Sequence, residues 1–224
     1  MEITPNVHLI PGIIANPYLI IDSGELTLID AGLPGSHKKI LRYIAGLGYT
    51  LKDLKRILIT HADFDHVGGL AALQTATGAH VYAHASEAAA MAVGRPSRKL
   101  KTGNVFAKLL YWGMGCMFRA APVQVDEFLA DSQVLPVLGG LCVLETFGHT
   151  PGHLSFFAPS AGILFVGDSI VSEETGLRGS RGANTWDQPK SDESVRKQAA
   201  LGARIVCSGH GPVVMDAAGK FPHV

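Results

Sequence analysis

Cysteine is scarce in this chain: Cys116, Cys142 and Cys207 are the only three in 224 residues. An odd number with no CxxC pair excludes a fully paired disulfide framework. Cys142 and Cys207 fall in the apolar runs LCVLETF and RIVCSG, where a thiol is expected to act as a small buried hydrophobe. A reduced, cytoplasmic setting is the expectation. Surplus charge is missing as well, since Lys+Arg 19 meets Asp+Glu 19. That balance gives no general attraction to nucleic acid or to an anionic membrane. No apolar run approaches the roughly 20 residues of a membrane span. The opening MEITPNVHLIPG has neither the basic nor the apolar region of a secretion signal. GxSxG is absent and no cysteine stands beside a base, so the sequence offers no covalent nucleophile.

What is present is an alternation of strands and helices. Hydrophobic residues make up 47% and mean hydropathy is +0.22, enough for the core of one large domain or two fused halves. VHLIPG, PYLIIDSG and ELTLIDAG read as an antiparallel meander, the last two joined by a tight Ser-Gly turn. Ile40, Leu41, Ile44 and Leu47 fall at helical spacing behind Ser36, a candidate N-cap. RILIT, HVYAHA, GLCVLETF, HLSFFAP, GILFVGD and RIVCSG read as further strands. GGLAALQTATG and SEAAAMAVG read as helices, as does SDESVRKQAALG with Ser191 as its N-cap. This order fits two sheets packed face to face with helices outside.

Four strand ends carry side chains able to hold a metal. RILIT runs into THADFDHVGG, which crowds His61, Asp63, Asp65 and His66 into six positions. CVLETFG leads to His149 in GHTPGH, ILFVG leads to Asp168, and RIVCSG leads to His210. Catalytic groups concentrate in loops held by a rigid scaffold. Four histidines and up to three carboxylates are too many for one tetrahedral zinc. They suit two adjacent divalent ions that share a carboxylate. A hydroxide between two such ions is the usual nucleophile at hydrolytic sites of this type. The bland reading makes THADFDHVGG a helix-capping turn, with Asp63 or Asp65 as N-cap. That leaves the histidines unexplained.

LIDAG with Asp30, the His-rich turn, GHTPGH, GDS and the closing GHG occur in this order, each at a strand end. Together they resemble the metallo-β-lactamase superfamily, and its small stand-alone hydrolases in particular. The resemblance implies an α/β fold, a four-layer αββα sandwich of two mixed sheets flanked by helices, spanning 1–224 as a single domain. It implies that His61 and His149 hold a first metal, that Asp65, His66 and His210 hold a second, and that Asp168 bridges them. Asp30 would orient the ligand turn by hydrogen bonding, and His153 would anchor the turn after His149. Asp65 would also orient the nucleophile and pass a proton to the leaving group.

Asp63 departs from the family pattern, which has a histidine at this position. It is either a ligand of the first metal or an acceptor for His61 or His66. Two divalent ions, zinc above all, are what the resemblance implies, and a carboxylate here moves the preference toward manganese or iron. It also resembles the flavodiiron branch, where a glutamate stands in this place. A single ion at the second site is a further arrangement.

Residues 95–125 differ in character from the rest. Arg95, Arg98, Lys99, Lys101, Lys108 and Arg119 alternate with Phe106, Tyr111, Trp112, Met114 and Met117, and no acid lies between Glu87 and Asp126. The segment is expected to be a helical lid over the metals, with Trp112 on the substrate, or a homodimer contact. Contact with a membrane surface ranks third. The Gly-rich loop after Asp168 brings Arg178 and Arg181 as candidate anchors for a substrate carboxylate or phosphate.

The function expected is that of a metallo-hydrolase, using a metal-bound hydroxide on an ester, lactone, thioester or related bond of a small molecule. The alternatives are β-lactamase or phosphodiesterase activity, a diiron redox protein, and a binding module whose metals are structural. Neither a nucleic-acid partner nor a membrane span is expected.

Overall fold

The computed structural model describes residues 1–98, 119–174 and 176–224. The centre of the expected insertion, with Trp112 and Cys116, lies outside the described residues.

Period-two alternation decides which side chains face which layer. In β3 (Tyr18–Asp22), Tyr18 and Ile20 enter one hydrophobic cluster and Leu19 enters another. That strand belongs to a seven-stranded sheet in sequence order: β1 (Glu2–Thr4), β2 (Val7–Leu9), β3, β4 (Glu25–Ile29), β5 (Leu54–Leu58), β6 (His80–His84) and β7 (Glu127–Leu129). Its first four strands pair antiparallel, and β4 to β7 pair parallel. Ser23 and Gly24 join β3 to β4 with φ of 53° and 82°. Those angles suit a mirror-image two-residue turn, which matches the strand twist. Each parallel step needs a crossover. These carry α1 (His37–Gly46), then α2 (Phe64–Val67) with α3 (Leu70–Thr77), then α4 (Ala85–Met91).

The second sheet has five strands: β8 (Val134–Leu135), β9 (Leu141–Glu145), β10 (Leu154–Ala158), β11 (Ile163–Gly167) and β14 (Ile205–Ser208). They lie in the order β14-β11-β10-β9-β8, parallel only between β11 and β14. Between the sheets, Tyr18, Ile20, Ile29 and Leu58 meet Val143, Phe156, Ile163 and Phe165. Behind the first sheet, Leu19, Leu28 and Ile57 pack with Ile40, Ile44, Leu70 and Leu73 of α1 and α3. Behind the second, Leu164, Val166 and Val206 cover Val195 of α5 (Gln188–Ala199). The layers therefore run helix, sheet, sheet, helix, as expected. Among the described residues no helix is long and apolar enough to cross a membrane.

Four local expectations are corrected. Ser36 precedes α1, but its backbone is already helical and its side chain makes no capping bond. Ser191 is not a cap: α5 begins earlier, where Asp187 accepts from the Lys190 N–H with Pro189 in the first turn. The loop after Asp168 contains a hairpin, β12 (Ile170–Glu173) with β13 (Gly176–Gly179). Cys207 is fully buried as expected, whereas Cys142 is only half-buried.

Candidate metal centre

Strands β4, β5, β9, β11 and β14 end along one rim, and the segments leaving them converge. Asp168, just beyond β11, stands in the middle. Its Oδ1 is 3.3 Å from Nε2 of His66. Its Oδ2 is 3.4 Å from Nε2 of His210, 3.7 Å from His149 and 4.0 Å from His61. Asp65 Oδ2 reaches His210 Nε2 at 3.2 Å on the more open side. Asp63 Oδ2 lies 3.2 Å from His149 Nε2 and 3.5 Å from His61 Nε2. All seven residues named from the sequence are thus brought together.

Each imidazole is aimed by a neighbour. Asp30, at the end of β4, has a left-handed backbone with φ 59°, a costly conformation of the sort found at functional sites. Its carboxylate accepts from the Thr60 N–H at 2.9 Å, from the Thr60 hydroxyl at 2.8 Å and from His66 Nδ1 at 2.8 Å. With Nδ1 donating, Nε2 of His66 is the nitrogen presented to Asp168. His153 is fully buried, and its Nε2 accepts from the Asp168 N–H at 3.0 Å while Nδ1 meets the Thr146 hydroxyl at 2.9 Å. It therefore holds the backbone of Asp168 as well as closing the GHTPGH turn through Thr146. His149 Nδ1 meets Ser180 Oγ at 2.9 Å.

Sequence reading missed Glu87. This fully buried carboxylate on α4 accepts from the Ala62 N–H at 2.9 Å and from the Gly152 N–H at 2.8 Å. It ties the His61 turn to the His149 turn. Nothing in its helical run SEAAAM distinguished it from a solvated helix acid.

Asp63 occupies the N-cap position of α2 without making a cap bond, so the capping explanation fails for its side chain. The carboxylate turns inward, where it accepts from Nη2 of Arg98, and the same Nη2 stands 3.1 Å from Nε2 of His149. Arg98 was visible in the sequence only as one of a cationic run.

The electrostatics follow from burial opposed by charge. Burial raises the Asp168 pKa, yet the facing His66 and His210 imidazoles hold it well below the ordinary carboxylate value. Asp63 is likewise held well below by His149, His61 and Arg98 against its burial. Burial works against a charged His66, but Asp168 and Asp30 keep its pKa well above the usual one. Hydrogen bonds to Asp168 and Asp65 raise His210 to about 9. Burial lowers His149, and lowers His153 further.

Whether this set suits a metal is testable on its unsatisfied atoms. Nε2 of His61, Nε2 of His66 and Oδ1 of Asp168 are buried without a hydrogen-bond partner. Buried polar atoms are rarely left unpaired, so several facing one another call for a missing counterpart. Three overlapping trios bring their ligand atoms within 4.8 Å of one another: His61, His66, Asp168; His61, Asp63, His149; and Asp65, His66, His210. A nitrogen and oxygen donor set of this kind fits zinc, iron or manganese.

The remaining candidates lie farther out. Arg178 donates Nε to Glu173 across the β12–β13 hairpin at 2.6 Å, and Arg181 is an exposed residue just before a 3-10 turn at Gly182–Asn184.

An αββα sandwich with such a cluster at its strand ends belongs with the metal-dependent hydrolases. The profile of the metallo-β-lactamase superfamily matches residues 10–210, and the chain is a member of that superfamily. A Bacillus subtilis protein, probable metallo-hydrolase YflN, is 29% identical over 94% of this chain and 85% of its own. Hydroxyacylglutathione hydrolase of Cereibacter sphaeroides is 30% identical over 84% of this chain, which spans only 58% of that relative. Among solved structures, a metallo-beta-lactamase family protein from Thermus thermophilus is 26% identical, with a TM-score of 0.73 over 98% of this chain and 78% of that one.

Proposed function

We propose that the chain hydrolyses a thioester, ester or lactone of a small molecule at a divalent metal held by the cluster. Its ligands are drawn from His61, His66, His149, Asp168 and His210, with Asp65 and Asp63. The observation that carries this reading is the trio of buried, unpartnered atoms, His61 Nε2, His66 Nε2 and Asp168 Oδ1, facing one another at the strand ends. A bound divalent ion supplies Lewis acidity, making water acidic enough to attack at neutral pH and polarising a carbonyl.

The side chains do the rest. Asp30 and His153 orient His66 and Asp168, so the ligand atoms are set before substrate arrives. Asp65, less enclosed and 3.2 Å from His210, is the group we assign to take a proton from the attacking water and return it to the leaving group. Covalent catalysis has no support at Cys207: it is fully buried in β14, and burial pushes its thiol pKa up, away from the reactive thiolate. The kinship with a hydroxyacylglutathione hydrolase favours acyl thioesters within the substrate class.

The test is elemental analysis of the purified protein, followed by assays on thioester, lactone, phosphodiester and β-lactam substrates. Turnover of an acyl substrate that disappears in His66→Ala and Asp168→Ala supports the reading. Full activity in either variant, or hydrolysis of phosphodiesters alone, would refute it.

A further inference from the structure

The fold family's two-metal arrangement meets an obstacle in this chain. His149 and Asp63 are two of the three groups that would surround a first ion, and both are already engaged by one cation, the guanidinium of Arg98. That side chain is 4% exposed, and its Nη2 touches both Asp63 Oδ2 and His149 Nε2, which are themselves 3.2 Å apart. His149 has one lone pair to offer in this pocket: in the tautomer whose Nδ1–H donates to Ser180 Oγ, 2.9 Å away, that pair is on Nε2. That pair accepts from Arg98 or binds a metal, and cannot do both. A divalent ion beside the guanidinium would also add a second positive centre in contact with the same carboxylate.

We propose that the guanidinium of Arg98 takes the place of the first cation, so that the chain carries one divalent ion, among Asp65, His66, Asp168 and His210. The inference rests on reading this cluster as a metal centre. It also explains why position 63 is an aspartate. A buried guanidinium needs a carboxylate counter-ion, and a histidine at 63 would leave Arg98 unpaired while offering a third imidazole to a metal. Asp63 and Arg98 are therefore one unit, an internal ion pair where relatives of the common pattern place a metal and its ligand. Among the described residues the second side is free of this conflict: Asp65, His66, Asp168 and His210 meet one another without an arginine among them. Arg98 keeps a fixed positive charge at the site, available to the developing oxyanion of a substrate carbonyl.

The experiment loads the full chain with zinc alone, removes excess by dialysis, measures zinc per chain, and locates the ion by anomalous diffraction at the zinc edge. One equivalent is expected, with a single peak among Asp65, His66, Asp168 and His210. The double variant Asp63→His, Arg98→Met should take up two equivalents, with a new peak beside His61 and His149. Two equivalents in the unaltered protein, with density between His61, Asp63 and His149, would overturn the inference and leave the hydrolase reading standing. One equivalent in both proteins would overturn the role given to Arg98. No zinc at saturating concentration would remove both this inference and the metal centre on which it rests. The peak positions in the unaltered protein decide the matter even if the variant fails to fold.

Discussion

Asp30 and His66 are joined at 2.8 Å from Oδ2 to Nδ1, both buried, although they lie 36 residues apart in the chain. That contact selects the nitrogen His66 offers to Asp168 and links the end of β4 to the motif turn after β5. Asp30→Asn keeps the shape but removes the charge that holds the ring. Zinc affinity is expected to fall about 10–100-fold, the usual cost of losing such a partner. Competition with a chromophoric chelator measures it, and unchanged affinity would show that the ring needs no such guide.

Glu87 makes a second prediction. Its two carboxylate oxygens take the N–H groups of Ala62 and Gly152 separately. Glutamine has one acceptor oxygen, so Glu87→Gln leaves a buried donor facing an NH2 group. A loss of about 1–3 kcal/mol is expected in urea unfolding. Zinc uptake should weaken too, because the His61 and His149 turns are no longer tied. Weakened uptake with unchanged unfolding would mean that Glu87 serves the site alone.

Gly209 supplies a steric test. A Cβ added there would lie 2.3 Å from Oδ1 of Asp168 and 2.7 Å from Cε1 of His66. Gly209→Ala must push the carboxylate or the ring off its position. Activity and zinc retention are expected to drop by more than about tenfold, since small displacements of catalytic groups are costly, while circular dichroism stays native. Retained activity would place the reacting centre elsewhere.

A prediction on pH concerns the surface pair Asp131 and Lys197. Burial raises the Asp131 pKa, but the Lys197 ammonium and the Glu145 N–H together bring it below the ordinary value. A depressed carboxylate stabilises the fold above its unfolded pKa, and the contribution disappears as pH falls through the folded value. Both groups are more than a third exposed, so the pair is worth about 0.2–1 kcal/mol. Lys197→Met should therefore be less stable than the unaltered chain at neutral pH, and the gap should narrow at an acid pH below the ordinary carboxylate value. An identical gap at both pH values would mean that packing of the lysine stem, rather than charge, was lost.

Much of this molecule is dictated locally. Alternation in YLIID and ILFVG sets two faces on each strand, and both faces are apolar because each sheet is covered on both sides. The spacing of His61, Asp65 and His66, and the histidines and aspartate closing three other strands, are local facts that the family pattern orders. The helix caps were less readable. Ser191 suits a cap by residue type, yet Asp187 with Pro189 begins the helix, and the Ser191 hydroxyl donates instead to the Ser180 carbonyl at 3.1 Å.

Chemistry that depends on pairing across the chain had to wait for the tertiary structure. Glu87 and Arg98 are ordinary surface types in sequence, and only packing strips their water and forces each to find partners 25 to 65 residues away. The sequence by itself determined that imidazoles and carboxylates end the strands of a layered sandwich. Which of them face one another, and which is already taken by an arginine, was decided by the fold, because a buried charge is defined by its neighbours in space.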